Sequence, residues 1–303
     1  MRTRVGVDLG GTKIEATAVD AEGREHGRRR VATPRDDYEG TLAAVAGLVG
    51  DVERDLGAEA VVGVGMPGTI GPSGLVKNAN SVWLNGRRLA DDLARVLPRR
   101  LRFANDANCL ALSEAIDGAA AGASVVFGVI IGTGTGGGVA LNGRAWGGPN
   151  GVGGEWGHNP LPWPRDDERP GPPCYCGLSG CLETWLSGPG VSRDHARVTG
   201  TRATAAEIAD AATAGDVAAQ ATLERFCDRL ARGLATVVNV LDPEVIVLGG
   251  GLSQIASLYE RVPALLPRYV FSDTVVTPVR PPVHGDSSGV RGAARLWSPD
   301  ELR

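Results

Sequence analysis

The chain has 303 residues, of which 43% are hydrophobic and 22% are charged, and its formal net charge is −4. This length suits two domains of about 100–200 residues each, and the mild acidity argues against a protein that binds nucleic acid or a membrane surface. The sequence shows neither a signal-peptide pattern nor an apolar run of about 18 residues, so we expect a cytoplasmic protein that does not cross a membrane.

The first third of the chain predicts a small α/β unit. Apolar residues alternate over residues 4–31, with a turn at 21–23, which indicates three short strands. Apolar residues at helical spacing follow over 42–56. A buried strand is then predicted at 60–66, another strand at 101–104, and a helix from 107 to about 119.

The pattern then restarts. Residues 124–131 are apolar and rich in β-formers, run into a Gly/Thr-rich segment at 132–138, and are followed by a strand at 139–141. Twice, therefore, an apolar strand meets a glycine turn and then a second strand. This looks like two copies of one supersecondary plan.

The remaining elements complete an α/β fold. Residues 143–173 predict loops, an apolar stripe over 223–241 predicts a long helix that ends at Asp242-Pro243, and 244–248 predicts a strand. A short helix is expected at 288–297. Alternating strands and helices in two lobes favour a ligand cleft between the lobes. We place the small lobe at 1–118 plus a C-terminal helix at about 289–303, and the large lobe, with a metal-binding loop, at 119–288.

A glycine turn near the N-terminus is a candidate phosphate site. Gly10 and Gly11 let the backbone approach a phosphate closely, and successive N–H groups in such a turn bind anions. Thr12 adds a hydroxyl, Lys13 adds a positive charge, and Asp8 is placed to hold a water molecule bound to Mg²⁺. The alternative is a tight hairpin that binds no ligand.

The second glycine turn is a candidate for the other phosphates of a nucleotide. Its predicted phosphate-binding residues are Gly132, Thr133, Gly134, Thr135 and Gly136. Glycine loses more conformational entropy on folding than other residues, so this glycine content indicates a functional requirement. The segment matches neither the P-loop pattern nor the dinucleotide-binding fingerprint.

A third glycine run, Gly249, Gly250 and Gly251, follows a buried strand and opens a helix. Glycines there let a flat ring lie on the backbone, so adenosine is the expected ligand. Ordinary packing of a strand against a helix is the alternative.

Asp106 is the candidate general base. The segment Asn105-Asp106-Ala107-Asn108 lies where a strand ends and a helix begins, a favoured ligand position in α/β sheets. A carboxylate there can take a proton from a substrate hydroxyl as that hydroxyl attacks a γ-phosphate. Alternatively, Asn105 or Asp106 only caps the helix.

Three further polar residues suit sugar binding. Glu155 and His158 lie in the run Gly-Glu-Trp-Gly-His, and Glu183 lies two residues after Cys181. Carboxylates and an imidazole can make paired hydrogen bonds to neighbouring sugar hydroxyls. A surface loop with solvated acids is the alternative.

Three cysteines on one tight loop predict a metal site. Cys174, Cys176 and Cys181 lie within eight residues, and His158 is the best fourth ligand. Four closed N/S ligands indicate a structural Zn²⁺. A disulfide with a spare thiol, or three free thiols, are the alternatives.

Together these motifs resemble the ROK family of sugar kinases and related repressors, over nearly the whole chain. The specific marks are residues 8–12, 105–106 and 154–158 and the run Cys-x-Cys-Gly-x-x-Gly-Cys-x-Glu at 174–183. Within the family, the chain looks most like bacterial fructokinases of the manno(fructo)kinase type, on residues 33–38, 77–81, 83–86, 154–163 and 284–292. N-acetylglucosamine kinases share several of these stretches.

The resemblance implies a ribonuclease-H-like, actin/hexokinase-type fold in two lobes with duplicated β-α cores, Mg-ATP as the phosphate donor, and a homodimer. It implies that Asp106 is the general base and that His158 contacts both the sugar and the zinc. The residues that it implies for sugar binding are Asn105, Glu155, His158 and Glu183, with Gly68 and Asn80 as further candidates.

The expected activity is the transfer of the γ-phosphoryl group of ATP to a hexose hydroxyl. D-Fructose, giving fructose 6-phosphate, is the main expectation, with mannose as a second substrate. An N-acetylglucosamine kinase or glucokinase is the alternative, and a non-catalytic sugar-sensing protein is a remote one. A repressor of this family would carry a DNA-binding module ahead of the first strand, where only about four residues stand.

Overall fold

The computed structural model describes residues 3–302. Residues 1, 2 and 303, which belong to the ends of the predicted small lobe, lie outside the described residues. The elements of the first half are β1 (Arg4–Leu9), β2 (Lys13–Val19), β3 (Glu25–Ala32), α1 (Tyr38–Leu56), β4 (Val61–Met66), β5 (Thr69–Ile70), β6 (Val76–Lys77), α2 (Leu89–Val96), β7 (Leu101–Asn105) and α3 (Asp106–Asp117).

The second half contains fewer strands and more helices. Its elements are β8 (Val125–Ile131), β9 (Thr135–Leu141), β10 (Arg144–Ala145), α4 (Glu183–Leu186), α5 (Gly188–Thr199), α6 (Ala205–Thr213), α7 (Val217–Leu241), β11 (Val245–Gly249), α8 (Leu258–Leu265), β12 (Val279–Arg280) and α9 (Ser288–Arg295). None of the helices within residues 3–302 is long and apolar enough to cross a membrane.

The chain divides into two compact units. The first holds the residues up to Ser124, the segment Gly138–Gly154 and the residues from Asp286 onward; the second holds Val125–Gly137 and Glu155–Gly285. The predicted boundary placed residues 138–154 in the large lobe. The structure groups them with the first unit, and a Cβ added at Gly138 would lie only 2.2 Å from the Ala107 carbonyl oxygen.

The first unit is built on a five-stranded sheet in the order β3-β2-β1-β4-β7. Strand β1 is antiparallel to β2 and parallel to β4, which is parallel to β7. The apolar face of α1 is buried in one core with Val5 and Val7 of β1. Helix α9 packs on the opposite face, where a Cβ at Gly63 would lie 1.9 Å from the Ala293 carbonyl oxygen. Only glycine allows this approach.

The second unit repeats the same plan. Strand β8 is parallel to β11, and β11 is parallel to β12. The order β9-β8-β11 corresponds to β2-β1-β4 of the first sheet. The first residues of β9 belong to this unit. The predicted duplication of an α/β plan is therefore confirmed by the topology of the two sheets.

The long helix α7 crosses the second unit. Its buried stripe includes Leu223, Phe226, Leu230 and Leu234, which matches the predicted spacing. The helix begins at Val217, earlier than the predicted stripe, and ends at the predicted place, since Asp242 adopts a left-handed conformation with φ of 48°.

Candidate active site

The first glycine turn joins β1 to β2 in the first unit. The Gly10 amide donates to the Lys13 carbonyl oxygen at 3.0 Å, which closes the turn. A Cβ at Gly11 would lie 3.2 Å from the Ser81 hydroxyl oxygen, so the turn lies close to the loop that carries Ser81. Thr12 is exposed. The ammonium group of Lys13 lies 3.6 Å from Glu15, so its charge is partly compensated within the unit.

Asp8, at the end of β1, carries an unusual carboxyl group. It accepts no hydrogen bond from a residue that the structure describes. Burial raises its pKa to about 7, with further increases from the negative charges of Asp106 and Glu15 and a small opposing effect of Lys13. A Cβ at Gly289, in the first turn of α9, would lie 3.1 Å from the Asp8 carboxylate.

Asn105 and Asp106 lie at the junction of β7 and α3. Asn105 is the N-cap residue: its side-chain oxygen accepts from the Ala107 amide at 2.9 Å. The carboxylate of Asp106 accepts from the same amide at 2.8 Å. Burial raises the pKa of Asp106 despite this bond and one from Asn105. The capping alternative therefore applies to Asn105, which leaves Asp106 available for chemistry.

Gly68 and Asn80 lie close to the same junction. The side-chain amide of Asn105 donates to the Gly68 carbonyl oxygen at 3.1 Å. Gly68 has a φ of +68°, and a Cβ there would lie 2.3 Å from the Lys77 carbonyl oxygen, so Gly68 packs against the loop that leads to the exposed Asn80. Within the first unit, Asn105 and Gly68 are therefore in direct contact, and the charges of Asp8 and Asp106 influence each other.

The second glycine turn is shorter than predicted. Only residues 132–134 form the turn, because β9 already starts at Thr135. The Gly132 amide donates to the Gly134 carbonyl oxygen at 2.9 Å, and the Thr135 amide donates to the Glu183 carboxylate at 3.0 Å. One predicted sugar-binding residue, Glu183, is therefore fixed directly to the predicted phosphate turn.

A large cleft in the second unit joins two of the glycine runs. Its volume is about 1280 Å³, and Gly132, Thr133 and Gly251 all line it. Gly250 has a φ of +85°, and a Cβ there would lie 2.5 Å from the Ile131 carbonyl oxygen, so only glycine fits this close approach. The other walls come from small and apolar residues that the sequence analysis did not single out, among them Ala205, Ala209, Leu223, Leu252 and Ile255.

The segment that carries Glu155 and His158 is anchored by Trp156. The indole N–H of Trp156 donates to the Gly136 carbonyl oxygen at 3.0 Å, and its ring meets Phe127 edge to face at 5.6 Å. These contacts within the second unit hold Glu155 and His158 beside β9. Burial raises the pKa of Tyr175 to about 12, with further contributions from the charges of Glu183, Cys174 and Glu155.

The four predicted zinc ligands converge. Their ligand atoms all lie within 4.8 Å of one another. Tetrahedral Zn²⁺, with Zn–S of about 2.3 Å and Zn–N of about 2.0–2.1 Å, separates two sulfurs by about 3.8 Å and a nitrogen from a sulfur by about 3.6 Å. Here the Sγ atoms of Cys176 and Cys181 are 3.6 Å apart, and the Cys174 Sγ lies 3.6 Å from the His158 Nδ1. The cysteines are free, and the set fits zinc.

The thiols of this loop differ in acidity. A hydrogen bond from the Leu178 amide is the main cause that lowers the pKa of Cys176 to about 7, whereas burial raises the pKa of Cys181 to about 12. A coordinated thiol is deprotonated outright by the charge of the ion. A metal would therefore relieve the cost of ionising Cys181 in this loop.

A buried ionic network next to the metal loop was missed by the sequence analysis. Glu168 makes hydrogen bonds of 2.8 Å with both Arg229 and Arg232 of α7, and all three side chains are almost fully buried. Burial opposes the charge of Glu168, but hydrogen bonds from Arg232, the Arg165 amide and Arg229 lower its pKa to about 2. Arg232 also donates to the Trp163 carbonyl oxygen at 2.9 Å, so it ties the loop between His158 and Cys174 to α7.

The comparisons with known proteins agree with this arrangement. A model of the ROK family matches residues 4–300. The chain belongs to the ROK family. It is 39% identical over 296 residues to an N-acetyl-D-glucosamine kinase of Photobacterium profundum, which covers 96% of this chain and 98% of that protein.

Two solved ROK structures share the fold. The crystal structure of the ROK hexokinase from Thermus thermophilus matches with a TM-score of 0.85 and 33% identity, over 97% of both chains. A ROK glucokinase from Streptomyces griseus, in complex with glucose and AMPPNP, matches with a TM-score of 0.78 and 28% identity, over 97% of this chain and 98% of the other. The predicted actin/hexokinase-type α/β fold is thus confirmed. None of these three relatives is a fructokinase, so the fructokinase branch stays a prediction.

Proposed function

We propose that this chain is an ATP-dependent hexose kinase and that N-acetyl-D-glucosamine is its acceptor sugar. Kinase activity is supported by membership of the ROK family and by the likeness to a glucokinase that was crystallised with glucose and an ATP analogue. The choice of sugar is supported by the 39% identity to an N-acetyl-D-glucosamine kinase over almost the full length of both chains.

The single observation that carries the chemistry is the carboxylate of Asp106, whose pKa is raised by burial at the start of α3. A carboxylate with a raised pKa is a stronger base than an ordinary aspartate. We assign to Asp106 the removal of the proton from the attacking sugar hydroxyl. The proton moves to this carboxylate while the hydroxyl oxygen bonds to the γ-phosphorus and the bridging oxygen leaves with ADP.

Three residues of the second unit are proposed to hold the sugar. Glu183 has one carboxylate oxygen fixed by the Thr135 amide, and the other oxygen can accept from a sugar hydroxyl. Glu155 and His158 are held beside it through Trp156. In the first unit, Asn105 is proposed to bind the sugar through its side chain, with Gly68 and Asn80 nearby.

The nucleotide is proposed to use the glycine turns. The cleft lined by Gly132, Thr133 and Gly251 has the volume and the apolar walls that suit an adenosine group. The N–H groups of the turn at Gly10 and Gly11 can bind phosphate oxygens. Mg²⁺ bound to the phosphates would offset the charge that develops during transfer, and Asp8 is the residue that would hold its water.

Fructose is a second candidate acceptor. The stretches at 77–81, 83–86 and 284–292, which resemble fructokinases of the manno(fructo)kinase type, favour it. Fructose is a 2-ketose without the acetamido group of N-acetyl-D-glucosamine, so the walls of the sugar site decide between the two sugars.

The test is an ADP-release assay with Mg-ATP and a panel of N-acetyl-D-glucosamine, glucose, mannose and fructose. We expect the highest kcat/KM for N-acetyl-D-glucosamine. A highest value for fructose would transfer the assignment to the second candidate, and ADP release that no sugar stimulates would refute the kinase proposal.

The matched variant is Asp106→Asn, which keeps the shape of the side chain and removes the base. We expect kcat to fall about 10²–10⁴-fold, while the dissociation constant of the sugar changes less than about threefold. Near-normal turnover of this variant would remove Asp106 from the role of base.

A further inference from the structure

Tyr175 stands between two of the zinc ligands and was not among the predicted site residues. Its side chain is 71% exposed. Its ring meets the imidazole of His158 edge to face, with ring centroids 5.1 Å apart and an interplanar angle of 89°. Its hydroxyl oxygen lies 3.0 Å from the Nε2 atom of His158. This is the one hydrogen bond of the hydroxyl within residues 3–302.

The direction of this hydrogen bond follows from the metal site. The Nδ1 atom of His158 faces the Cys174 sulfur at 3.6 Å, so Nδ1 is the nitrogen turned toward the metal position. A neutral histidine that gives the lone pair of Nδ1 to a metal carries its proton on Nε2. His158 then donates through Nε2–H, and the tyrosine oxygen accepts.

This Nε2–H group is the donor that His158 would offer to a sugar hydroxyl. The oxygen of Tyr175 already accepts from this Nε2–H group at 3.0 Å.

We propose that the hydroxyl of Tyr175 competes with the sugar for the Nε2–H of His158, so that a hexose must displace it in order to bind. The inference rests on the proposed function. Tyr175 can leave readily, because its exposed ring is not packed into a core. Tyr175 is a positioning residue, because its hydrogen bond orients the imidazole of His158. The same bond weakens sugar binding by the free energy of one hydrogen bond.

The experiment compares the zinc-loaded parent protein with Tyr175→Phe, which keeps the ring and removes only the competing oxygen. Calorimetric titration with N-acetyl-D-glucosamine and with fructose, without nucleotide, measures the dissociation constant. We expect it to fall about two- to tenfold, the factor that corresponds to one net hydrogen bond. The KM of the sugar should fall by a similar factor with kcat unchanged, because the base and the phosphate turns are untouched.

Leu178→Ala is the matched control. Leu178 lies on the same loop and is 65% exposed, so its truncation tests for a general loosening of the loop. We expect it to leave the dissociation constant unchanged. Elemental analysis should find one zinc per chain in the parent and in both variants.

Three results would overturn the inference. Sugar binding by Tyr175→Phe that is unchanged or weaker would show that the hydroxyl does not compete. A loss of zinc in this variant would assign the hydroxyl to the metal site instead. An equal gain in Leu178→Ala would attribute the effect to the loop. If the parent protein bound neither sugar, that result would contradict the proposed function rather than the role of Tyr175.

Discussion

Replacing Asp8 by asparagine should stabilise the protein at neutral pH in the absence of magnesium. Burial and the nearby charges of Asp106 and Glu15 raise the pKa of Asp8 from 3.8 to about 7. A shift of about 3 units corresponds to about 4 kcal/mol, at 1.36 kcal/mol per unit. Partial exposure and relaxation of the site reduce the expected effect to about 2–4 kcal/mol.

The sign follows from proton binding. Below pH 3.8 the carboxyl group is protonated in both the folded and the unfolded chain, so its ionisation does not change the free energy of unfolding. Between that pH and about 7 the folded protein keeps a proton that the unfolded chain releases. The contribution of Asp8 to the stability of the parent is therefore lost as the pH rises through this window. Asparagine cannot ionise, so the advantage of the variant grows with pH and levels off above about 7.

The assay is urea unfolding of the parent and of Asp8→Asn at pH 5, 6, 7 and 8, in buffer without magnesium or nucleotide. Asp91→Asn is the control, because Asp91 is exposed on α2, and we expect a change within about 0.5 kcal/mol at each pH. A variant that is less stable than the parent at pH 8, or a difference that does not change with pH, would refute the reasoning.

Two further predictions concern the metal loop. Cys181→Ser should lose zinc in elemental analysis, because three ligands hold the ion much less tightly than four, whereas Cys227→Ala, on α7, should keep it; equal zinc contents would contradict the site. Arg232→Met should lower the free energy of unfolding by about 3–5 kcal/mol, since it leaves Glu168 buried with one partner fewer. The control is Arg88→Met, because Arg88 and its partner Asp91 are both exposed, with an expected loss of about 0–1 kcal/mol; similar losses in both would refute the network's role.

The sequence predicted the parts of the site that depend on local chemistry. The turn at Gly10 and Gly11 and the turn at Gly132 are encoded by glycines between apolar strands, and both turns are where the pattern placed them. The cluster of His158 with three cysteines was predictable because the cysteines lie on one loop. Turns, strands and ligand loops of this kind can be predicted from residues that are close together in the sequence.

The tertiary structure refined some of the predictions. The strand pairing of β9 starts at Thr135, so half of the predicted glycine loop is strand. Asn105, not Asp106, serves as the N-cap. The ammonium group of Lys13 lies next to Glu15, so its positive charge would attract a phosphate less strongly than the sequence suggested.

By itself, the sequence determined the duplicated α/β plan, the identity of the glycine turns and the cysteine loop, because these depend on residue types at short spacing. The tertiary structure alone decided the raised pKa of Asp8, the walls of the cleft at Gly132 and Gly251, the burial of Glu168 between two arginines, and the contact of Tyr175 with His158. Each of these joins side chains from different elements. Their energies depend on distance and on the exclusion of water, which folding sets and spacing along the chain does not.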